Sequence, residues 1–175
     1  MGTDIHMRLE YRREAPDGYV EYRAVIAHFY SSRRDYRLFG MLAAVRGGYE
    51  APVLPLRGVP SDASEEIWHA YYYQVVPDDP PPDFFVFAPE TTTEQEAAAV
   101  TNGRIVERWG YRYVKQSDWH SASYLSLAEL RHVLAAEEYP EAELLPEYQL
   151  IIRIMSAVDE LFGEGSARMV FWFDN

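Results

Sequence analysis

Alternation of apolar with polar side chains is the first pattern along the chain. From Asp4 to Arg13 apolar residues alternate with charged residues or histidine, and the apolar set is Ile5, Met7, Leu9 and Tyr11. This period predicts a strand with one buried and one polar face. Asp17-Gly18 separates it from a second such run, Tyr19 to Phe29, so the two strands are predicted to form a hairpin.

Two later segments are also predicted to be strands. Ile105 to Val114 is rich in tyrosine and tryptophan, and the chain ends on the β-type run ARMVFWFDN. Aromatic and β-branched side chains are enriched in strands because they pack well on a pleated surface. We therefore expect a strand near each end of the chain.

Helical spacing of apolar residues marks the segments between the strands. One helix is predicted from Arg33 to Arg46, with Ser31-Ser32 as candidate caps, and another begins near Ser61-Asp62. Thr93 and Ser126 each precede a glutamate by three residues, which is the capping-box spacing that begins a helix. Asn102-Gly103 is a stop signal for the helix that begins at Thr93.

The strongest helical pattern follows Pro146 and ends near Phe162, with Gly163 as its stop. Glycine is common directly after a helix because it adopts positive φ without steric cost. The residues predicted to face inward are Leu150, Ile151, Ile154, Met155, Val158 and Leu161.

These elements predict an α+β fold. It would contain a mostly antiparallel sheet that includes the N-terminal and C-terminal strands, with helices packed on it. The tract VVPDDPPPDF cannot form regular structure, so a proline-rich loop is predicted at about residues 76–90. Residues 1–175 are predicted to be a single domain.

Composition limits where the protein acts and which metals it could hold. The chain has 175 residues, 48% of them hydrophobic, and no cysteine, so any metal would need histidine and carboxylate ligands. No apolar run approaches the ~18 residues of a membrane span, and no basic-then-apolar leader is present at the N-terminus. We expect a cytoplasmic protein without membrane contact.

The charge excludes one class of function and leaves another open. A net charge of −12 disfavours nucleic-acid binding, because phosphate backbones would be repelled. All basic residues except Lys115 are arginines, and residues 1–57 hold nine of them against seven acids. Arginine is a good phosphate ligand, so a local pocket for a small anion is compatible with the charge. A genome with many arginine codons explains the same bias.

Two Asp-x-His pairs are the main candidates for chemistry. Asp4 and His6 project together from the polar face of the first strand, and Asp118 precedes His120 by the same spacing. If both pairs met Asp174 of the last strand, the cluster could hold Zn²⁺, Mn²⁺ or Fe²⁺ and generate a hydroxide nucleophile. The alternative is structural, with each aspartate orienting its histidine by a hydrogen bond.

Serine and arginine near these pairs are candidates for ligand contact. Ser121 and Ser123 are too close to His120 for a Ser-His-Asp triad, and no Gly-x-Ser-x-Gly turn is present. They are interpreted as turn or capping residues, although a serine could bind a ligand oxygen. Arg57-Gly58, before the helix start at Ser61-Asp62, has the residue types of an anion site.

Five sequence blocks resemble a family of uncharacterised phage and prophage accessory proteins. These blocks are GTDIHMRLEYR, RRDYRLFGMLAAVRG, LRGVPSD, SDWHSASYLSLAEL and the terminal MVFWFDN. The resemblance implies a small accessory protein in a bacterial host cell that counters host defence, by inhibiting a defence protein or by binding or degrading its nucleotide signal. The blocks include the polar residues singled out above, among them Asp4, His6, Arg57, Asp62, His120 and Asp174.

Three functions remain open on the sequence. The leading hypothesis is binding or sequestration of a small phosphorylated ligand through Asp4, His6, Arg57, His120, Ser121 and Asp174. The second is a metal-dependent hydrolase that uses Asp4, His6, Asp118 and His120 as its metal site. The third is a protein–protein inhibitor without chemistry, whose contact surface would be formed by the acidic C-terminal two-thirds of the chain and the tyrosine-rich helix around Trp68. Formation of a homo-oligomer is also left open.

Overall fold

The computed structural model describes residues 2–29, 33–101 and 104–174. The chain divides into two compact units, unit 1 formed by residues 1–64 and 120–175 and unit 2 formed by residues 65–119. The predicted α+β fold is confirmed, with both terminal strands in one antiparallel sheet. The single domain stays a prediction. Ser31-Ser32 and Asn102-Gly103 lie outside the described residues.

The elements are numbered in chain order. The strands are β1 (Ile5–Glu14), β2 (Val20–Phe29), β3 (Tyr72–Val76), β4 (Thr91–Thr93), β5 (Val106–Arg108), β6 (Tyr111–Lys115), β7 (His120–Ser126) and β8 (Ala167–Phe173). The α-helices are α1 (Tyr36–Ala43), α2 (Glu65–Tyr71), α3 (Glu94–Thr101), α4 (Leu127–Ala136) and α5 (Pro146–Phe162). A short 3-10 helix spans Glu141–Glu143.

Unit 1 contains a four-stranded antiparallel sheet in the order β2-β1-β8-β7. The predicted hairpin is confirmed, because β1 pairs with β2 and Asp17 accepts a hydrogen bond from the Tyr19 backbone N–H at 3.1 Å. The last strand pairs with the first, so that Ile5 lies opposite Phe173 and Tyr11 lies opposite Ala167. The two ends of the chain therefore lie at the centre of the sheet.

One face of this sheet packs into the main hydrophobic core. Met7 of β1 and Phe171 and Phe173 of β8 are fully buried there with residues of α1, α4 and α5. The α5 stripe is partly as predicted, since Ile151, Met155 and Val158 are buried in this core. The prediction was wrong for Leu150 and Leu161, which are 49% and 77% exposed, because the helix buries a narrower face than the apolar pattern indicated.

Side-chain caps begin several helices as the sequence predicted. Thr93 and Glu96 exchange hydrogen bonds at the start of α3, and Ser126 and Glu129 form a complete capping box at α4. The first helix is shorter than the predicted span, and the Asp35 carboxylate accepts from the Leu38 backbone N–H at its start.

Unit 2 contains a second four-stranded sheet in the order β4-β3-β6-β5, with β4 parallel to β3 and the other pairs antiparallel. Its α2 begins at Glu65, after the predicted cap at Ser61-Asp62. The single strand predicted from Ile105 to Val114 was wrong, because Trp109-Gly110 forms a turn between β5 and β6. Residues 77–90 contain no helix or strand.

Across the described ranges, no helix is long and apolar enough to cross a membrane.

A buried ion network crosses the polar face of the unit 1 sheet. Glu10 is 1% exposed, and its carboxylate accepts hydrogen bonds from the Arg168 guanidinium and from the Ser64 backbone N–H. Arg168 also donates to the partly exposed Asp62 at 2.9 Å. Burial raises the pKa of Glu10, although Arg168 and Ser64 oppose this effect. The network therefore joins β1, β8 and the segment that precedes α2.

We expect Arg168→Met to lower the free energy of unfolding by about 3–5 kcal/mol at pH 7, because Glu10 would stay buried without a counter-charge. The control Asp62→Asn is expected to change it by less than about 1 kcal/mol, since the Asp62 side chain is 64% exposed. Chemical denaturation measures both. A raised Glu10 pKa means that protonation relieves the loss, so the Arg168→Met deficit should shrink as pH falls. Equal losses in the two variants would contradict this assignment.

Candidate functional site

The polar face of β1 carries the candidate residues nearest the N-terminus. Alternation places Asp4, His6, Arg8 and Glu10 on the side opposite the core-facing Met7. Across the ladder, His6 lies opposite Trp172 and Arg8 opposite Val170 of β8. We call this surface of β1 and β8 the polar face of unit 1.

Pairing of the terminal strands brings Asp4, His6 and Asp174 together. One Asp174 carboxylate oxygen lies 3.1 Å from Nε2 of His6, and the other accepts from the Asp4 backbone N–H at 2.9 Å. The His6 ring stacks on Trp172 with a centroid distance of 5.7 Å. A carboxylate therefore orients the imidazole, as the structural interpretation of the Asp-x-His spacing expected. That carboxylate belongs to Asp174, directly after β8, and not to Asp4.

The Asp4 side chain points to a different partner. Arg34 donates to both of its carboxylate oxygens, at 2.6 and 3.1 Å. The hydrogen bonds from Arg34 lower the pKa of Asp4, with a smaller opposing effect of burial. The negative charge of Asp4 is therefore matched within unit 1.

His120 lies on the other face of the sheet from His6. It begins β7 opposite Phe173, and its ring stacks on the Phe173 ring at 6.2 Å. Because Phe173 and Trp172 are consecutive in β8, their side chains point to opposite faces. Nδ1 of His120 is 2.9 Å from the Ser121 hydroxyl, and Nε2 is buried without a hydrogen-bond partner among the described residues. Ser121 has a φ of 53° and lies in a bulge of β7, between the residue pairs His120–Phe173 and Ser123–Phe171.

Of the four residues predicted to hold a metal, the three that lie in unit 1, Asp4, His6 and His120, do not meet. Asp118 lies in a turn of unit 2, where the Ser117 hydroxyl donates to it at 3.2 Å. His120 is separated from His6 by the sheet itself. Within residues 2–29, 33–101 and 104–174, no group of three or more His, Asp or Glu side chains could hold a metal ion. These donors do not fit Zn²⁺, Mn²⁺ or Fe²⁺, which would take at least three such ligands here.

Arg57 is held at the edge of β7. Its guanidinium donates to both carboxylate oxygens of Glu129 at 2.9 Å and to the Tyr124 carbonyl, and it stacks on the Tyr124 ring at 4.0 Å. Its backbone N–H donates to the Ser123 hydroxyl. Burial alone would raise the pKa of Glu129, but hydrogen bonds from Arg57 and Ser126 lower it overall. The Arg57 charge is thus matched by the carboxylate that caps α4, and its contact with a ligand stays a prediction.

Arg8 is the polar-face residue that the sequence analysis did not single out. It is 5% exposed, and its guanidinium makes one hydrogen bond to the described residues, a donation to the Met7 carbonyl at 3.0 Å. Its guanidinium lies 5.2 Å from the centre of the Trp172 ring. Nε is buried without a partner, and no carboxylate forms an ion pair with Arg8 among the described residues.

Burial lowers the pKa of Arg8 to about 10, so the side chain still carries its charge at neutral pH. The neighbours of Arg8 on the same face each have an ion-pair partner. Asp4 is paired with Arg34, His6 with Asp174 and Glu10 with Arg168. A buried cation without an opposite charge is costly unless something else satisfies it. In the sequence, Arg8 can be recognised only as an arginine between two apolar residues of the first strand, Met7 and Leu9.

A groove on unit 1 lies away from the polar face. Its volume is about 410 Å³, and it lies between the start of α4 and the end of α5. Its lining includes Asp159, Glu160 and Glu164 with Arg131 as the one cation. Because α4 and α5 pack on the core face of the sheet, this groove and Arg8 are on opposite sides of it.

No protein-family model, curated protein or solved structure matches the chain. The phage-type resemblance therefore remains an expectation from the sequence blocks. Arg8 differs from the other charged residues of the polar face in being a buried cation without an ion-pair partner among the described residues.

We expect Arg8→Met to leave the free energy of unfolding unchanged or to raise it by about 1 kcal/mol. Methionine retains apolar contact with Trp172 and removes a buried charge that has no ion-pair partner in the described part of the chain. Chemical denaturation of this variant and the wild type measures the difference. A loss of more than about 2 kcal/mol would contradict this expectation and show that Arg8 stabilises the fold.

Proposed function

We propose that this protein is a phage-type accessory protein that binds a small phosphorylated ligand through Arg8 on the polar face of unit 1. The observation that carries the proposal is the buried Arg8 guanidinium, which has an unsatisfied Nε and no ion-pair partner among the described residues. The sequence blocks support the accessory role, in which sequestration of a nucleotide signal would counter host defence.

A phosphate group would satisfy what Arg8 lacks. The guanidinium presents N–H donors in a planar fork that matches two phosphate oxygens, and charge-assisted hydrogen bonds of this kind are strong in a poorly solvated setting. The free protein bears the cost of burying the cation, and ligand binding offsets that cost. This is the balance expected of a binding site that is formed before the ligand arrives.

Neighbouring residues favour a ligand of low charge. Asp4 and Asp174 are both near His6, and the chain as a whole has a net charge of −12. Arg34 neutralises Asp4, and Arg8 supplies one further positive charge on this face. We therefore favour a ligand with a single phosphate group over a polyphosphate, which the surrounding field would repel.

His6 supplies the remaining recognition group in this proposal. The fully buried Trp172 ring contacts both side chains, with the His6 ring stacked on it and the Arg8 guanidinium 5.2 Å from its centre. Asp174 restrains the imidazole by hydrogen bonding to Nε2. Because Trp172 is fully buried, it would position Arg8 and His6 for the ligand, and Arg57, Ser121 and His120 would act in structure.

The alternative of a metal-dependent hydrolase is not favoured by a specific observation. Its four proposed ligands, Asp4, His6, Asp118 and His120, are divided between the two faces of the sheet and a turn of unit 2. We propose binding without a chemical step, and the ligand should be recovered unchanged after incubation with the protein.

The test is titration calorimetry and thermal shift with inorganic phosphate, AMP and a cyclic mononucleotide. We expect at least one of these compounds to raise the melting temperature of the wild type, by linkage of binding to folding. Arg8→Met should abolish that shift. Arg12→Met is the matched control, because Arg12 lies on the same strand and the same face but is exposed, and it should retain the shift.

Two results would overturn the proposal. One is the absence of any shift or heat for all phosphorylated compounds with the wild type. The other is a shift that Arg8→Met and Arg12→Met both retain. Chromatography of the ligand after incubation separates sequestration from hydrolysis, since a hydrolase would release a new product.

A further inference from the structure

The turn between β5 and β6 in unit 2 holds a tryptophan in an unfavourable backbone conformation. Arg108 pairs with Tyr111, so Trp109 and Gly110 form a two-residue hairpin turn with φ values of 51° and 78°. Two positive φ values are typical of a type I′ turn, which favours Asn-Gly or Gly-Gly. A bulky side chain at positive φ is strained, and such strain points to a role outside the fold.

Trp109 belongs to a cluster of exposed apolar residues, which we call the aromatic surface. Its members and their exposed fractions are Phe85 at 60%, Val86 at 49%, Phe87 at 37% and Trp109 at 46%. The rings contact one another, with Phe87 5.9 Å from Trp109 and 6.1 Å from Phe85. Contiguous exposed apolar side chains on one compact unit mark an interaction site.

Buried residues hold the aromatic surface in place. Gln74 is fully buried, and its amide donates to the Phe85 carbonyl at 3.0 Å and accepts from the backbone N–H groups of Phe87 and Ala88. The Tyr111 ring stacks on Phe87 at 6.0 Å. Because Gln74 satisfies three backbone groups of this loop, the exposed rings are presented in a fixed arrangement, which lowers the entropy lost on binding.

The tryptophan is supported in a similar way. The Arg108 guanidinium lies 4.0 Å from the centre of the Trp109 ring and 4.5 Å from that of Trp68. Trp68 is 6% exposed, so it forms the buried layer beneath Trp109. The tyrosine-rich helix therefore acts as a base for the aromatic surface, and its Trp68 and Tyr71 are too buried to form a contact surface themselves.

The charge of unit 2 indicates the kind of partner. Residues 65–119 contain four basic and ten acidic side chains, for a formal charge of −6. Asp78, Asp79 and Asp83 are exposed in the proline-rich segment directly before the aromatic surface. Of the basic residues, Arg108 lies between two tryptophans and Arg112 is paired with Glu94. Apolar rings beside exposed carboxylates are complementary to a segment that is both basic and apolar.

We propose that the aromatic surface of unit 2 docks a basic segment of a partner protein, with an apolar side chain of that segment packed between Phe85, Phe87 and Trp109. Lysine or arginine side chains next to the apolar anchor would face Asp78, Asp79 and Asp83 or lie over the rings as cation–π contacts. A second copy of this chain is a poor fit, because each copy carries a charge of −12. This surface lies in unit 2, so the proposal does not depend on ligand binding by Arg8.

Selection of random short peptides displayed on particles tests this proposal with a defined probe. We expect peptides enriched on the full-length wild type to be net basic and to share an apolar anchor. Two variants remove the anchor site, Trp109→Asn and Phe85→Ala, and each should weaken binding of the selected peptides by about tenfold or more. Binding should also weaken with added salt, as expected for opposite charges.

Stability provides the control for these variants. Asparagine suits positive φ better than tryptophan, so Trp109→Asn should keep or raise the midpoint of chemical denaturation while it loses peptide binding. Enriched peptides that are acidic or neutral, or that bind Trp109→Asn as well as the wild type, would overturn the proposal. So would no enrichment at all. Sedimentation of the wild type and Trp109→Asn tests whether a second copy of the chain occupies this surface. A lower molecular mass for the variant than for the wild type would assign the surface to self-association.

Discussion

The antiparallel pairing of β1 with β8 is the contact on which unit 1 depends. It places the first and last strands at the centre of the sheet and buries Met7 and Phe171 on one side. On the other side the Glu10–Arg168 ion pair lies within the same ladder, where neither charge could be buried alone without a large cost. The apolar face and the ion pair both require one register, since a shift by one residue would exchange the two faces.

The same pairing creates the candidate site. His6 and Asp174 are 168 positions apart along the chain, and only the β1–β8 ladder brings them into hydrogen-bond contact. Along this face the structure matches acids with arginines or histidine, at Asp4, His6 and Glu10. Arg8 departs from that rule, and Trp109 of unit 2 departs from the preference of turns for small residues. Departures of this kind, in an otherwise consistent fold, are where function is expected.

Local signals predicted much of the fold. The alternation of β1, the Asp17-Gly18 turn and the Ser126 capping box each depend on neighbouring residues, and each is present in the structure. The prediction was wrong at Trp109-Gly110, because this hairpin turn has tryptophan at the position where asparagine or glycine is usual, so the sequence did not indicate a turn. Strand β7 was also missed, because its bulge at Ser121 interrupts the period of two. Exposure of Leu161 could not be predicted either, since it depends on what α5 packs against.

The sequence by itself determined the class of fold, the polar face of β1 and the absence of cysteine chemistry, because periodicity and composition are local properties of the chain. Only the tertiary structure decided which charges are matched. It paired Arg57 with Glu129, paired Asp4 with Arg34 and separated His120 from His6 by the thickness of the sheet. Among the described residues it left Arg8 buried without an ion-pair partner, since partners on other strands and loops are set by register and packing, which no short stretch of sequence encodes.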